Sequence, residues 1–171
     1  MAAFSETPED IGRLDYCLLQ SSAVVLYRRG TVLAEDVDEL RRLGYVIDEL
    51  DAGAWTSSRN LHSAFAAALD FPDWYGANLS ALSDCLSDVA VNHDGGRAIV
   101  IRNFESFAKR DADLAWNIAD IVENASRRHL LFGRRLLLLL QVADGSFELP
   151  TVGARGVGWN PKEWLTSNRR D

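Results

Sequence analysis

A chain of 171 residues fits one domain and can bury about 70% of its unfolded surface, so it needs neither disulfides nor a metal to fold. Apolar residues make up 47% and charged residues 25%, an ordinary globular balance. The net charge of −7 disfavours a nucleic-acid or anionic-membrane surface and favours a basic partner.

The first ten or so residues are polar and are expected to fray. No secretory signal opens the chain and no apolar run is long enough to span a bilayer, which predicts a cytoplasmic protein. Two cysteines, Cys17 and Cys85, are too few and too far apart for a disulfide framework or a zinc site and read as reduced, mostly buried thiols. Residues 23–27 (AVVLY) are β-branched and aromatic, a short buried strand closed by Arg28, Arg29 and Gly30. Leu33, Val37 and Leu40 then recur at helical spacing, with Glu35, Asp36, Asp38 and Glu39 expected outward, and Gly44 stands where a helix C-terminal glycine belongs. Residues 45–50 (YVIDEL) read as a second strand, and the order strand, helix, strand predicts a parallel pair.

Thr56, Ser57 and Ser58 offer N-caps to a helix striped by Leu61, Phe65 and Leu69, which Pro72 prevents from continuing. A second helix, over residues 76–89, carries Leu79, Leu82, Leu86 and Val89. Residues 97–103 (RAIVIRN) form a third strand, Leu114, Ile118, Ile121, Val122 and Ala125 stripe another helix, and residues 136–142 (LLLLLQV) are a last strand. The glycine-rich end reads as a loop and one short helix packed by Trp159 and Trp164. The fold class is α/β, a small, mostly parallel sheet of three to four strands with helices packed against it.

Residues 71–86 (FPDWYGANLSALSDCL) carry the functional information. On a helical wheel the leucines of this segment share one side, while Ala77, Ser80, Ala81, Asp84 and Asp88 lie opposite. A solvated helix face normally carries long charged side chains, whereas this one is small and acidic, a surface that another backbone can approach closely. Residues 60–96 contain no Lys or Arg but hold Asp70, Asp73, Asp84, Asp88 and Asp94, so most of the excess negative charge sits there. Trp74 and Tyr75 stand beside it on a loop stiffened by Pro72 and turned by Gly76, and aromatic anchors next to acids are the material of interface hot spots. The residues also fit plainer uses: Trp74 and Tyr75 folding over the core, Asp73 serving the helix dipole, Asn78 bonding the local backbone, and the acids forming a solvated face.

The run Pro72, Asp73, Trp74, Tyr75, Gly76, Asn78, Leu79, Ala81, Leu82, Asp84, Cys85 and Leu86 resembles the signature of the barstar family, intracellular inhibitors of barnase-type ribonucleases. The resemblance covers residues 45–143. It leaves 1–44 as an N-terminal extension, a strand and a helix packed on the same sheet, and 144–171 as a C-terminal loop and short helix. It implies an inhibitor or toxin immunity protein whose helix and preceding loop plug a nuclease active site. Asp84 would replace a substrate phosphate and Trp74 would pack at the rim. The implied partner-binding set is Asp84, Trp74, Ser80, Ser83, Tyr75, Asp73, Ala77, Asp88 and Glu123. Ser80 and Ser83 depart from the family pattern, in which inhibitors carry an acid and a large aromatic there.

The implied partner is a basic ribonuclease or nuclease toxin, with no direct nucleic-acid or membrane contact, no cofactor or metal, and a free form that is monomeric. The alternative is a non-inhibitory module that keeps the fold and binds another protein. Catalysis is not expected, because His62, His93 and His129 show neither metal-ligand spacing nor a nucleophile arrangement. The cluster Arg127, Arg128, Arg134 and Arg135 lacks a set of stacking aromatics and reads as structural, at a helix end and a strand start.

Overall fold

The computed structural model describes residues 2–170. Five strands form one sheet: β1 (Val24–Tyr27), β2 (Tyr45–Asp51), β3 (Gly96–Arg102), β4 (Leu136–Gln141) and β5 (Gly158–Trp159). Their order is β2-β3-β4-β1-β5, and every neighbouring pair is parallel. The helices are α1 (Pro8–Ile11), α2 (Leu14–Leu19), α3 (Gly30–Arg42), α4 (Ser58–Leu69), α5 (Leu79–Asp88), α6 (Phe104–Arg110) and α7 (Ala112–Leu130).

A parallel sheet must be covered on both faces, because its crossover connections lie on them and its strands are apolar on both sides. Side chains alternate accordingly. Val24, Leu26, Ile99, Ile101, Leu136, Leu138 and Leu140 join the core under α4 to α7. Val25, Tyr27, Ala98, Val100, Leu137 and Leu139 join a second core under α2 and α3. The α/β class with parallel strands is as the sequence predicts. The sheet has five strands, one more than the upper expectation, because the glycine-rich tail lays Gly158 and Trp159 beside Val25 and Leu26.

Other departures have local causes. The start expected to fray instead holds α1, capped by Thr7, and α2 follows it, fixed by Asp15, which is fully buried and accepts hydrogen bonds from Arg13, Tyr45 and Arg135. Asp36, expected outward, is buried, because it accepts from Tyr27 Oη at 2.9 Å, Asn160 Nδ2 at 2.6 Å and Lys162 Nζ at 2.8 Å. Cys17 is exposed and Cys85 buried, so only one thiol follows expectation. The tail ends in two 3₁₀ turns, Pro161–Glu163 and Thr166–Arg169. Trp159 packs under the Arg169 guanidinium, but Trp164 points out, 65% exposed. Gly44 adopts φ 83° at the end of α3, the left-handed conformation for which a C-terminal glycine suits the chain. Among the described residues no helix is long and apolar enough to cross a membrane.

The tail is bolted down by Glu163, which is fully buried and accepts from the backbone N–H groups of Arg28 and Arg29, each at 2.8 Å, and from Arg29 Nε at 3.1 Å. Removing this carboxylate strands those donors. Glu163→Ala is therefore expected to cost about 2–4 kcal/mol of stability. Urea denaturation checks this through the transition midpoint, and an unmoved midpoint would show the tail to be dispensable.

Candidate functional site

The surface around α5 is built from its preceding loop. Helix α4 ends on Asp70 in the left-handed conformation (φ 54°), and the Phe71 N–H closes back on the Ala66 carbonyl at 3.0 Å. Pro72 then starts a tight turn in which Tyr75 N–H donates to the Pro72 carbonyl at 2.9 Å. Ala77 follows at φ 48°, so it belongs to the loop and not to the helix face that the wheel gave it. Asn78 caps α5, its Oδ1 accepting from Ala81 N–H at 2.9 Å, and the helix starts at Leu79, three residues later than the sequence predicts.

The loop holds its two aromatics differently. Tyr75 is half-buried, packs edge-on against Phe71 at 4.9 Å and hydrogen-bonds His62 Nδ1 at 2.5 Å. Burial pushes its phenol up to about 12, so it stays neutral. Trp74, one residue earlier, is 71% exposed. Tyr75 thus works as the loop's anchor, and Trp74 is the side chain on offer.

Helix α5 turns Leu82, Cys85 and Leu86 into the core. Burial, and then the charges of Asp84 and Asp88, push the Cys85 thiol up, which makes it unreactive. From α7, His129 Nε2–H donates to the Leu86 carbonyl at 2.9 Å, fixing the helix from behind. Outward stand Ser80, Asp84 and Asp88, all exposed, with Ser83 half-buried between them. Among the described residues, Asp73, Asp84 and Asp88 form no ion pair. The structure therefore gathers Asp73, Trp74, Ala77, Ser80, Ser83, Asp84 and Asp88 on one loop-plus-helix surface, with Tyr75 beneath it.

Glu123 does not belong to this surface, and the expectation for it is corrected. It is 2% exposed and accepts from Ser22 Oγ at 2.9 Å and Ala23 N–H at 2.7 Å, with Arg155 at 3.8 Å. Its carboxylate secures the start of β1. Ala119, four residues before it, and Ser126, three after, are buried on the same face of α7, so the helical spacing could have flagged it. Sequence reasoning also missed Phe132, which stands 66% exposed just beyond the end of α7, beside Ser87 and Asp88 of α5. Leu131 and Phe132, two large apolar residues in the short turn before Gly133, were the available signal. Among the described residues no group of three or more His, Cys, Asp or Glu is placed to hold a metal ion.

Comparison with known proteins agrees with the resemblance read from the sequence. Residues 45–141, more than half of the chain, match the family described as Barstar (barnase inhibitor). A protein of Bacillus subtilis (strain 168) named "Putative ribonuclease inhibitor YrdF" is 35% identical over 65 residues, which are 38% of this chain and 68% of that protein.

The histidines behind the surface set a pH limit. Burial pulls both His62 and His129 below the ordinary value of 6.5. The unfolded chain therefore takes up protons that the folded one resists, so their contribution to stability is present above pH 6.5 and is lost as pH falls through the lowered values. Glu105, held low chiefly by Lys109, stays ionised in this range. Melting temperature is expected to fall between pH 7 and pH 5, and the His62→Asn, His129→Asn double variant should flatten that slope. An equally steep slope in the variant would contradict the assignment.

Proposed function

The chain belongs to the barstar family, and from that premise we propose that it inhibits a barnase-type ribonuclease by inserting α5 and its preceding loop into the enzyme's active site. The observation that carries this reading is Asp84: a carboxylate exposed and without an ion pair, at the centre of a face of small side chains, on a helix whose back is fully buried. A cleft that binds RNA phosphates is lined by cations. A carboxylate held on a rigid helix satisfies those cations as a phosphate would and offers no bond to cleave. Because the helix is already fixed by Leu82, Leu86 and the His129 contact, little conformational freedom is lost on docking.

Trp74 packs at the cleft rim, where a large rigid aromatic excludes water around the charged contact. Asp73, Asp84 and Asp88, with no cation in the same stretch of chain, steer a basic nuclease toward this face. The chain acts as an inhibitor in the cytoplasm and not as an enzyme, protecting the cell from a nuclease or a toxin that contains one. A second reading, a non-inhibitory module with a different protein partner, draws support from Ser80, one turn before Asp84, and Ser83, beside it, which leave the helix face there short and uncharged.

Asp84→Ala is expected to weaken inhibition at least ~30-fold, about 2 kcal/mol or more, and Trp74→Ala about tenfold. Both positions are exposed, so melting temperatures should stay within about 2 °C of the parent. Inhibition titrations against a barnase-type ribonuclease check this. Undiminished inhibition by the Asp84 variant would remove that residue's role, and capture of a non-nuclease partner through the same face would favour the second reading.

A further inference from the structure

The candidate surface does not end with the acidic helix. One turn beyond Asp84, Ser87 Oγ accepts a hydrogen bond at 3.1 Å from Arg128 Nη1, so the α7 side chain lies directly against the C-terminal half of α5. Ser87, Asp88, Arg128, His129, Phe132 and Arg134 line one shallow depression there. Its outer lip is the turn between α7 and β4, where Leu131 is 81% and Phe132 66% exposed. Trp74 at one end of α5 and Phe132 at the other thus bracket the acidic face with two exposed aromatics.

The charge changes sign across this surface. Arg128 and Arg134 flank Phe132, and among the described residues neither is in an ion pair. Arg128 donates to Ser87 Oγ, and Arg134 Nε to His93 Nε2 at 3.4 Å. A guanidinium has five N–H donors in a planar fork, so most of this capacity remains free. Arg135 of the same cluster is buried on Asp15 and the His93 carbonyl, and Arg127, itself exposed, ties α7 to the tail through the Gly153 carbonyl. The cluster that reads as structural in the sequence is therefore split in two: one half fastens the fold, the other is presented beside an exposed aromatic.

We infer that Phe132, Arg128 and Arg134 form a second contact region, and that the partner of this chain meets it with an apolar pocket edged by carboxylates, beside the basic cleft that receives Asp84. This inference rests on the inhibitor reading and deepens it. A ribonuclease that was basic over the whole footprint would place its cations against two arginines, and like charges brought together at an interface disfavour binding. The fitting partner is one whose cleft is basic and whose rim on the Phe132 side is acidic. The aromatic supplies buried apolar area, and the two guanidinium forks supply bidentate partners for carboxylates.

The test uses the full chain and a panel of purified, catalytically inactivated small basic microbial ribonucleases, with binding followed by surface plasmon resonance. For the ribonuclease bound, Arg128→Glu with Arg134→Glu is expected to weaken affinity at least tenfold, Arg128→Gln with Arg134→Gln less, and Phe132→Ala about tenfold. Arg128 and Phe132 are exposed and Arg134 is half-buried, and unchanged melting curves verify that the variants fold. Tighter binding by the double glutamate variant would show a basic rim and overturn the inference, as would an unaffected Phe132→Ala. If Asp84→Ala abolishes binding while the arginine and phenylalanine variants bind like the parent, the inhibitor reading stands and this inference falls. If no ribonuclease binds, both fall. Binding of single-stranded RNA that the double glutamate variant loses would assign the patch to nucleic acid instead and overturn the inference as well.

Discussion

The five consecutive leucines of β4, Leu136 to Leu140, are each fully buried, and the geometry of the molecule follows from where they point. Leu136, Leu138 and Leu140 enter the core beneath α4 to α7, and Leu137 and Leu139 enter the core beneath α2 and α3. Fully burying a leucine is worth about 2 kcal/mol, so this strand alone contributes on the order of 10 kcal/mol of gross burial. That gain requires helices on both faces of the sheet. Helix α5 is one of those helices, and with Leu82 and Leu86 committed inward it can turn only its small, acidic side to the outside. The candidate surface is thus a consequence of packing: the core fixes the angle at which Asp84 is presented.

Two groups of acids in this chain have opposite uses. Asp15, Asp36, Glu123 and Glu163 are buried, and each is met by several donors or cations. A buried carboxylate is tolerable only when so satisfied, and here each ties a segment outside residues 45–141 to the central sheet: Asp15 fastens α2, Asp36 joins α3 to the tail, Glu123 secures the start of β1 and Glu163 anchors the final turns. Asp73, Asp84 and Asp88 are exposed and have no ion pair among the described residues. The first group stabilises the extended sheet, and the second leaves negative charge available at one place on the surface.

This division explains what could be read from the sequence. Strands β1 to β4 and helices α3, α4, α5 and α7 are long enough for apolar periodicity to reveal them. Helices α1 and α2 are four and six residues long, too short for apolar periodicity, and α2 depends on Asp15 reaching Arg135 across the chain. Strand β5 is two residues, created by its pairing with Val25 and Leu26. Helix α1 carries a local signal in Thr7 and Pro8, an N-cap and a first-turn proline, whereas helix α2 and strand β5 have none. The same holds for charge. Glu123 and Asp36 look like surface acids in sequence because their partners come from distant segments, whereas the exposed set was legible because residues 60–96 contain no cation that could pair with it locally. Ala77 was misplaced by one structural detail, the left-handed turn before the Asn78 cap. Phe132 escaped notice because a single aromatic in a turn carries no periodicity.

The central claim is that Asp84 occupies the place of a phosphate in a ribonuclease cleft. It is tested most directly by titrating the chain into a catalytically inactivated barnase-type ribonuclease at increasing concentrations of a nucleoside monophosphate that fills the cleft. Direct competition is expected: the apparent Kd should rise linearly with the free nucleotide concentration. An apparent Kd that does not change, with chain and nucleotide bound to the enzyme together, would contradict the account.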